Sequence, residues 1–171
     1  MQNMQKSKLT SLESVMRIAL GCGSQGKAGF INVDWIDQKG VDVVHNLLDF
    51  PYPFDDGVAD YIELIDVLEH MPSFTDDNKS FPIEFVNECW RILKVGGELV
   101  IQVPHWQSPN TWIDPTHVRG YDLRSMDYFD PSTDLGRDYG YYSDCKFMVA
   151  KDLTLTGDGA PNNVIFKMLK L

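Results

Sequence analysis

Short apolar runs rich in β-branched residues recur along the first part of the chain. RIALG (17–21), FINVD (30–34), VDVVHNL (41–47) and DYIELI (60–65) are each bounded by glycine or polar residues, which predicts four strands. Between 80 and 94, SFPIEFVNECWRILK places Phe81, Phe85, Cys89, Ile92 and Leu93 near helical spacing. Pro82 suits the first turn of that helix, and Gly96-Gly97 suits a stop just beyond the last. GELVIQVP (97–104) reads as a fifth strand. Near the end, CKFMVAKDLTLTG and NNVIFKMLKL flank the turn-rich GDGAPNN, a pattern for an antiparallel hairpin with a long loop.

Strands alternating with crossovers predict an α/β fold: a Rossmann-like, open, mostly parallel sheet with the C-terminal antiparallel hairpin at one edge. The 171 residues, 43% of them hydrophobic, fit one domain spanning 1–171. Ligands of such sheets lie beyond the carboxyl ends of the strands, where strand order reverses. That rule gathers 22–26, 34–35, 46–50, 65–70 and 104–106 on one rim. The connections between the first three strands are short, whereas a parallel crossover normally takes a dozen residues or more. The helices are therefore expected to be pared down, leaving one sheet face thinly covered. Cover from the N-terminal segment or a second subunit is expected, which predicts a homodimer.

Gly21, Gly23 and Gly26 spell G-x-G-x-x-G, the spacing of a dinucleotide loop. That loop needs a helix behind the third glycine to hold a pyrophosphate, and an acid about 20 residues on. Here KAG leads straight into strand residues, and Asp34 comes too early. A nicotinamide-dependent oxidoreductase is set aside on that ground. What remains is a tight Gly-x-Gly turn after strand one and a carboxylate ending strand two. This pair suits a nucleoside without phosphates, such as S-adenosylmethionine.

LGCGSQGKAGFINVDW, DFPYPFDDGVADYIELIDVLEHM and EFVNECWRILKVGGELVIQVP resemble successive motifs of the small class I S-adenosylmethionine-dependent methyltransferases of the type 11 kind. SPNTWIDPTHVRGYDLRSMDYFD is similar to a substrate-side segment in some of them. The resemblance runs from about 17 to 130. It implies that Gly21 and Gly23, with Cys22 between them, shape the loop around the methionine end. It further implies that Asp34 binds the ribose hydroxyls, that Trp35 lies near the adenine, and that Asp49 and Phe50 meet the adenine edge. Ile65 and Asp66 would line the sulfonium side, although Asp66 replaces the residue common at that position in the family.

Methyl transfer is an in-line displacement, for which positioning can supply roughly 7–11 kcal/mol and a general base about 10²–10⁴-fold. His105, at the end of strand five, and His117, between Asp114 and Arg119, are the candidate bases. For His117 the competing reading is a turn held by Asp and Thr hydrogen bonds. His70, on the rim, reads either as a cofactor contact or as a structural cap. His45 reads as structural. Trp106, Asp114 and Arg119 are expected on the acceptor side, and the aromatics between 105 and 142 form either a stacking wall or a core. The expected reaction is methyl transfer to the oxygen or nitrogen of a small polar acceptor, a sugar or other metabolite. The alternative is a non-catalytic S-adenosylmethionine-binding regulator or scaffold.

The formal net charge of −10, without a basic run, argues against nucleic acid as partner. No segment reads as a membrane span or secretion signal, so a cytoplasmic protein is expected. Cys22, Cys89 and Cys145 form no ligand spacing, so no metal is expected.

Overall fold

In a computed structural model that describes residues 15–171, seven strands form one sheet in the order β3-β2-β1-β4-β5-β7-β6. They are β1 (Arg17–Leu20), β2 (Ile31–Asp34), β3 (Val43–Val44), β4 (Ala59–Ile65), β5 (Leu93–Pro104), β6 (Phe147–Leu155) and β7 (Pro161–Lys170). β1 to β5 pair in parallel, and β7, inserted between β5 and β6, runs against both neighbours. The hairpin is thus at an edge as expected, with its second strand turned inward. Strand order reverses at β1–β4, and the parallel pairing of the first three strands is as the sequence implies.

Three local expectations are corrected. The third strand is only Val43–Val44; beyond it His45 N–H still bonds to Asp34 O, but Asp49 N–H bonds back to Asn46 O and turns the chain away. The helix α1 (Phe81–Ile92) ends earlier than Gly96-Gly97, because Leu93 already pairs with Ala59 as the first residue of β5. Those glycines shape a shift of register within β5, where Gly96 takes φ +78°. The third correction concerns the bare face of the sheet.

Paired residues share a face, so the pairings sort the side chains. Ile18, Leu20, Val33, Ile62, Leu64, Leu99, Ile101, Val164, Phe166 and Met168 point to one side and are buried there with Phe81, Phe85, Val86, Cys89 and Ile92 of α1. Tyr121, Met126, Phe129 and Cys145, from the long β5–β6 connection, join the same core. The other face carries Arg17, Tyr61, Glu63, Glu98, Gln102, Asp152 and Lys167 among Ala19, Val100 and Ile165. It is a mixed polar surface, which water can cover. The apolar face that argued for a second subunit is therefore not there among the described residues, and any cover from 1–14 lies outside them.

Two side chains hold the short β1–β2 crossover, 21–30, onto this face. Asn32 accepts from Lys27 N–H (2.7 Å) and donates to Lys27 O, Phe30 O and the Asp42 carboxylate. Lys27 Nζ reaches both Glu63 oxygens at 2.6–2.7 Å and lies over the Phe30 ring, which meets Tyr61 edge-on. Gly26, the third glycine of the G-x-G-x-x-G spacing, has a packing role. Its φ is +56°, and a Cβ there would stand 2.4 Å from Gly40 O of the next crossover. The third glycine lets two loop backbones touch, and the chain runs from it into β2 with no helix between.

Candidate active site

The rim is set by backbone. Gly21 and Cys22 N–H groups both bond to Val33 O, which ties the turn after β1 to β2. Gly21 takes φ +68°, and a Cβ would collide with Val67, 2.6 Å from its Cγ2. The glycine thus lets the loop close on the segment that follows β4. Asp34 ends β2 with little exposure. Its Oδ2 accepts from Gly23 N–H (2.9 Å) and its Oδ1 from Ile36 N–H (3.2 Å). Each oxygen keeps a lone pair, so the carboxylate is held in place yet still able to accept from a ligand's hydroxyls.

A cavity of about 270 Å³ opens at this point, lined among others by Gly21, Gly23, Asp34, Trp35, Val67 and His70. Asn46, Leu47 and Met71 complete it. Trp35 is 70% exposed and stands at its mouth. The Asn46–Leu47 wall is fastened to α1 by a buried network. Tyr52 Oη donates to Leu47 O (2.9 Å), Glu88 Oε1 accepts from Tyr52 N–H (2.6 Å), and Arg91 clamps Glu88 while donating to Phe54 O. Burial pushes the Tyr52 hydroxyl up, so it stays a neutral donor.

Four expected cofactor residues (Gly21, Gly23, Asp34 and Trp35) and His70 come together around this cavity. Asp49 and Phe50 do not line it. They face an adjoining cleft of about 460 Å³ with Pro72, Phe74 and Lys79, and Asn46 belongs to both spaces. Ile65 and Cys22 line a separate hollow of about 300 Å³ with Lys27 and Glu63. Burial, with Asp34 adding to it, pushes the Cys22 thiol up, so it is a packing group rather than a thiolate. Asp66 is exposed, in the left-handed region at φ 53°, and accepts from Gln102 Nε2. Asn46 and Val67 fall within the rim segments 46–50 and 65–70 without an assigned role, and Met71 lies just outside them. Asn46 had a signal, the polar residue closing the apolar run VDVVH; Val67 and Met71 had none beyond their neighbours.

The acceptor-side residues divide. His105 is buried; its Nδ1 accepts from Gln107 N–H (3.2 Å), and its Nε2 lies 3.8 Å from Asp122. Trp106 Nε1 donates to the same Asp122, and the backbone of Gly120 packs on Trp106. His117 instead returns to the rim. Its ring meets His70 edge-on with centroids 4.5 Å apart, and its Nε2 lies 4.0 Å from Glu69 Oε1 and 3.8 Å from Asp114 Oδ2. Hydrogen bonds from the Thr116 hydroxyl and N–H hold the Asp114 carboxyl below the usual range, as the turn reading of this segment expected. Glu69 is 1% exposed; burial pushes its carboxyl up to about 7.

Arg119 lines a further space of about 800 Å³ with Lys79, Tyr121, Ser125, Tyr128, Tyr139 and others. Its Nε is buried without a hydrogen-bond partner. Lys79 and Glu84 belong to both this cavity and the 460 Å³ cleft, so these two and the Asp34 cavity follow one another around the 70–84 segment. No helix among the described residues is long and apolar enough to cross a membrane.

A parallel sheet in this order, with β7 alone reversed and a cavity at the point of reversal, has the fold of the class I S-adenosylmethionine-dependent methyltransferases. An S-adenosylmethionine-dependent methyltransferase from Archaeoglobus fulgidus superimposes with a TM-score of 0.64 over 91% of this chain and 86% of its own, at 15% identity. One from Thermotoga maritima gives a TM-score of 0.58 over 91% of this chain and 82% of its own, at 16% identity. No family model and no curated protein sequence matches the chain.

Proposed function

We propose that the protein is an enzyme that transfers the methyl group of S-adenosylmethionine to the oxygen or nitrogen of a small polar acceptor, such as a sugar or other metabolite. The observation that carries this reading is Asp34, preorganised by two backbone N–H groups at the mouth of a glycine-walled cavity where strand order reverses. The cavity residues fit the cofactor. The Asp34 carboxylate suits a ribose diol, Trp35 an adenine face and the Asn46 amide an adenine edge. The close Gly21–Val67 approach leaves the loop backbone bare toward the methionine end. When bound, the cofactor supplies an electrophilic methyl on sulfur, and the chain's task is to hold the acceptor in line with it.

The acceptor's place is in the spaces that adjoin the Asp34 cavity along the 70–84 segment. There the connected clefts lead to Arg119 and its tyrosines, and an unpartnered guanidinium nitrogen among aromatic rings suits a polar ring such as a sugar. His117, beside His70, is the basic group at that edge; His105 lies apart with its Nδ1 engaged. Incubation with methyl-labelled cofactor and panels of small hydroxyl, amine and sugar acceptors tests the reading. Labelled product from at least one panel is expected. Tight cofactor binding without turnover on any of them would favour the regulator or scaffold instead.

A further inference from the structure

Glu69, His70 and His117 each offer a ligand atom within 4.8 Å of the others. The hydrogen bonds around them fix which ring nitrogens are free to act as ligands. Thr116 Oγ1 donates to Asp114 Oδ1 (2.6 Å), so at its 2.8 Å contact with His70 Nδ1 it must accept. His70 therefore carries its proton on Nδ1. His117 Nδ1 faces Thr111 O at 3.1 Å, and a carbonyl can only accept, so this proton too is on Nδ1. Both neutral rings then present the lone pair of Nε2. Glu69 Oε2 is buried with no hydrogen-bond partner, and Glu69 is 1% exposed.

Three acceptors thus face one another, and the His117 Nε2 separations of 3.8–4.0 Å from Asp114 and Glu69 are too long for hydrogen bonds. Such a group lacks a positive centre. Histidines whose Nδ1–H is held by an outer oxygen while Nε2 points inward are the arrangement that metal-binding histidines adopt. Two imidazoles and one carboxylate are the donor set of zinc sites that keep an open position. The sequence expectation of no metal came from the cysteines alone, whose spacing says nothing about residues 69, 70 and 117.

We infer that Glu69, His70 and His117 bind a divalent transition-metal ion of the zinc type, with Asp114 beside it and Thr116 and the Thr111 carbonyl orienting the rings. Because His70 also lines the cofactor cavity, the open position of the ion lies at the boundary between cofactor and acceptor. There the ion would take an oxygen of the acceptor and ease loss of its proton, replacing His117 as base. That role, but not the site, rests on the methyl-transfer reading.

The test uses the full chain without a polyhistidine tag. It is stripped of metal, equilibrated with zinc and assayed for retained zinc, and cobalt is substituted as a spectroscopic probe. The wild type is expected to keep one zinc per chain and to show visible cobalt bands. His117→Ala and Glu69→Gln should lose both, and Thr116→Val should weaken zinc binding about 10–100-fold. Circular dichroism and titration with S-adenosylhomocysteine on the same samples report whether each variant is folded. A wild type that keeps no zinc overturns the inference, as does equal retention by wild type and folded variants. Zinc bound without any S-adenosylhomocysteine binding would leave the metal site standing and remove the methyl-transfer reading.

Discussion

The β1–β2–β3 crossovers and the β5–β6 connection solve opposite problems. Segments 21–30 and 35–42 link parallel strands with loops and one short 3-10 turn, Gly23–Gln25, and make their side of the rim from glycine backbone, Asp34 and Trp35. Segment 105–146 contains the short helices α2 (Asn110–Ile113) and α3 (Asp134–Tyr139) and fills its side with His117, Arg119 and tyrosines. A ligand part that is always the same can be held by closely placed backbone and one carboxylate. A part that defines the substrate needs many side chains. The comparison teaches that the lean half should govern stability and cofactor affinity, and the elaborate half turnover.

The sharpest break of the lean half is Gly26→Ala. The added Cβ meets Gly40 O and must hold a left-handed conformation, so a loss of about 3 kcal/mol is expected. In a protein of this size that lowers Tm by roughly 6–12 °C in a thermal melt. Gly23→Ala, with no neighbour within 4 Å of its Cβ, should lose only about 1–2 kcal/mol. Equal losses would mean that the two crossovers do not pack against one another. On the other half, Arg119→Gln should lower kcat/KM by about 10–100-fold, the value of a charge-assisted hydrogen bond, with cofactor affinity unchanged. A change in cofactor affinity instead would erase the division between the halves.

These contrasts also mark what could be read in advance. The Gly-x-Gly turn, the acid at the end of β2, the mostly parallel sheet and the antiparallel hairpin at its edge follow from local pattern, and the folded chain keeps them. The polar outer face was legible too. In DYIELI and GELVIQV the residues Tyr61, Glu63, Glu98, Val100 and Gln102 alternate with Ile62, Leu64, Leu99 and Ile101, a half-exposed pattern rather than a continuously buried one. Taking the face left by the short crossovers as apolar is what suggested a second subunit. Three things were not legible. Gly26 meets Gly40 only once both loops are folded, the Asn46–Leu47 wall depends on Glu88 and Arg91 from α1, and His117 reaches His70 across a long connection. Each is a contact between distant segments, which no spacing encodes.

Acid should loosen the elaborate half. Burial pushes the Asp130 carboxyl up, but hydrogen bonds from Ser132 and from Val149 N–H outweigh it and hold it below the ordinary 3.8. A folded value below the unfolded one means that these bonds stabilise the protein above the ordinary value and are lost as pH falls through the lower one. Near-ultraviolet circular dichroism of the tyrosines should therefore decline below about pH 4 more in the wild type than in Asp130→Asn. The smallest effect is expected for Lys27→Ala. Lys27 is half exposed, so its pair with Glu63 is worth about 0–1 kcal/mol. A larger loss would show that the bare face depends on this bridge.

If Asp34 and the Gly21–Gly23 turn hold the cofactor, isothermal titration of S-adenosylhomocysteine into wild type and Asp34→Ala will show it. One site per chain is expected in the wild type. The variant should bind more weakly by roughly 1.5–3 kcal/mol for each lost charge-assisted bond, tenfold or more in Kd. No binding by the folded wild type, or equal affinity in the variant, would mean that Asp34 does not hold the cofactor.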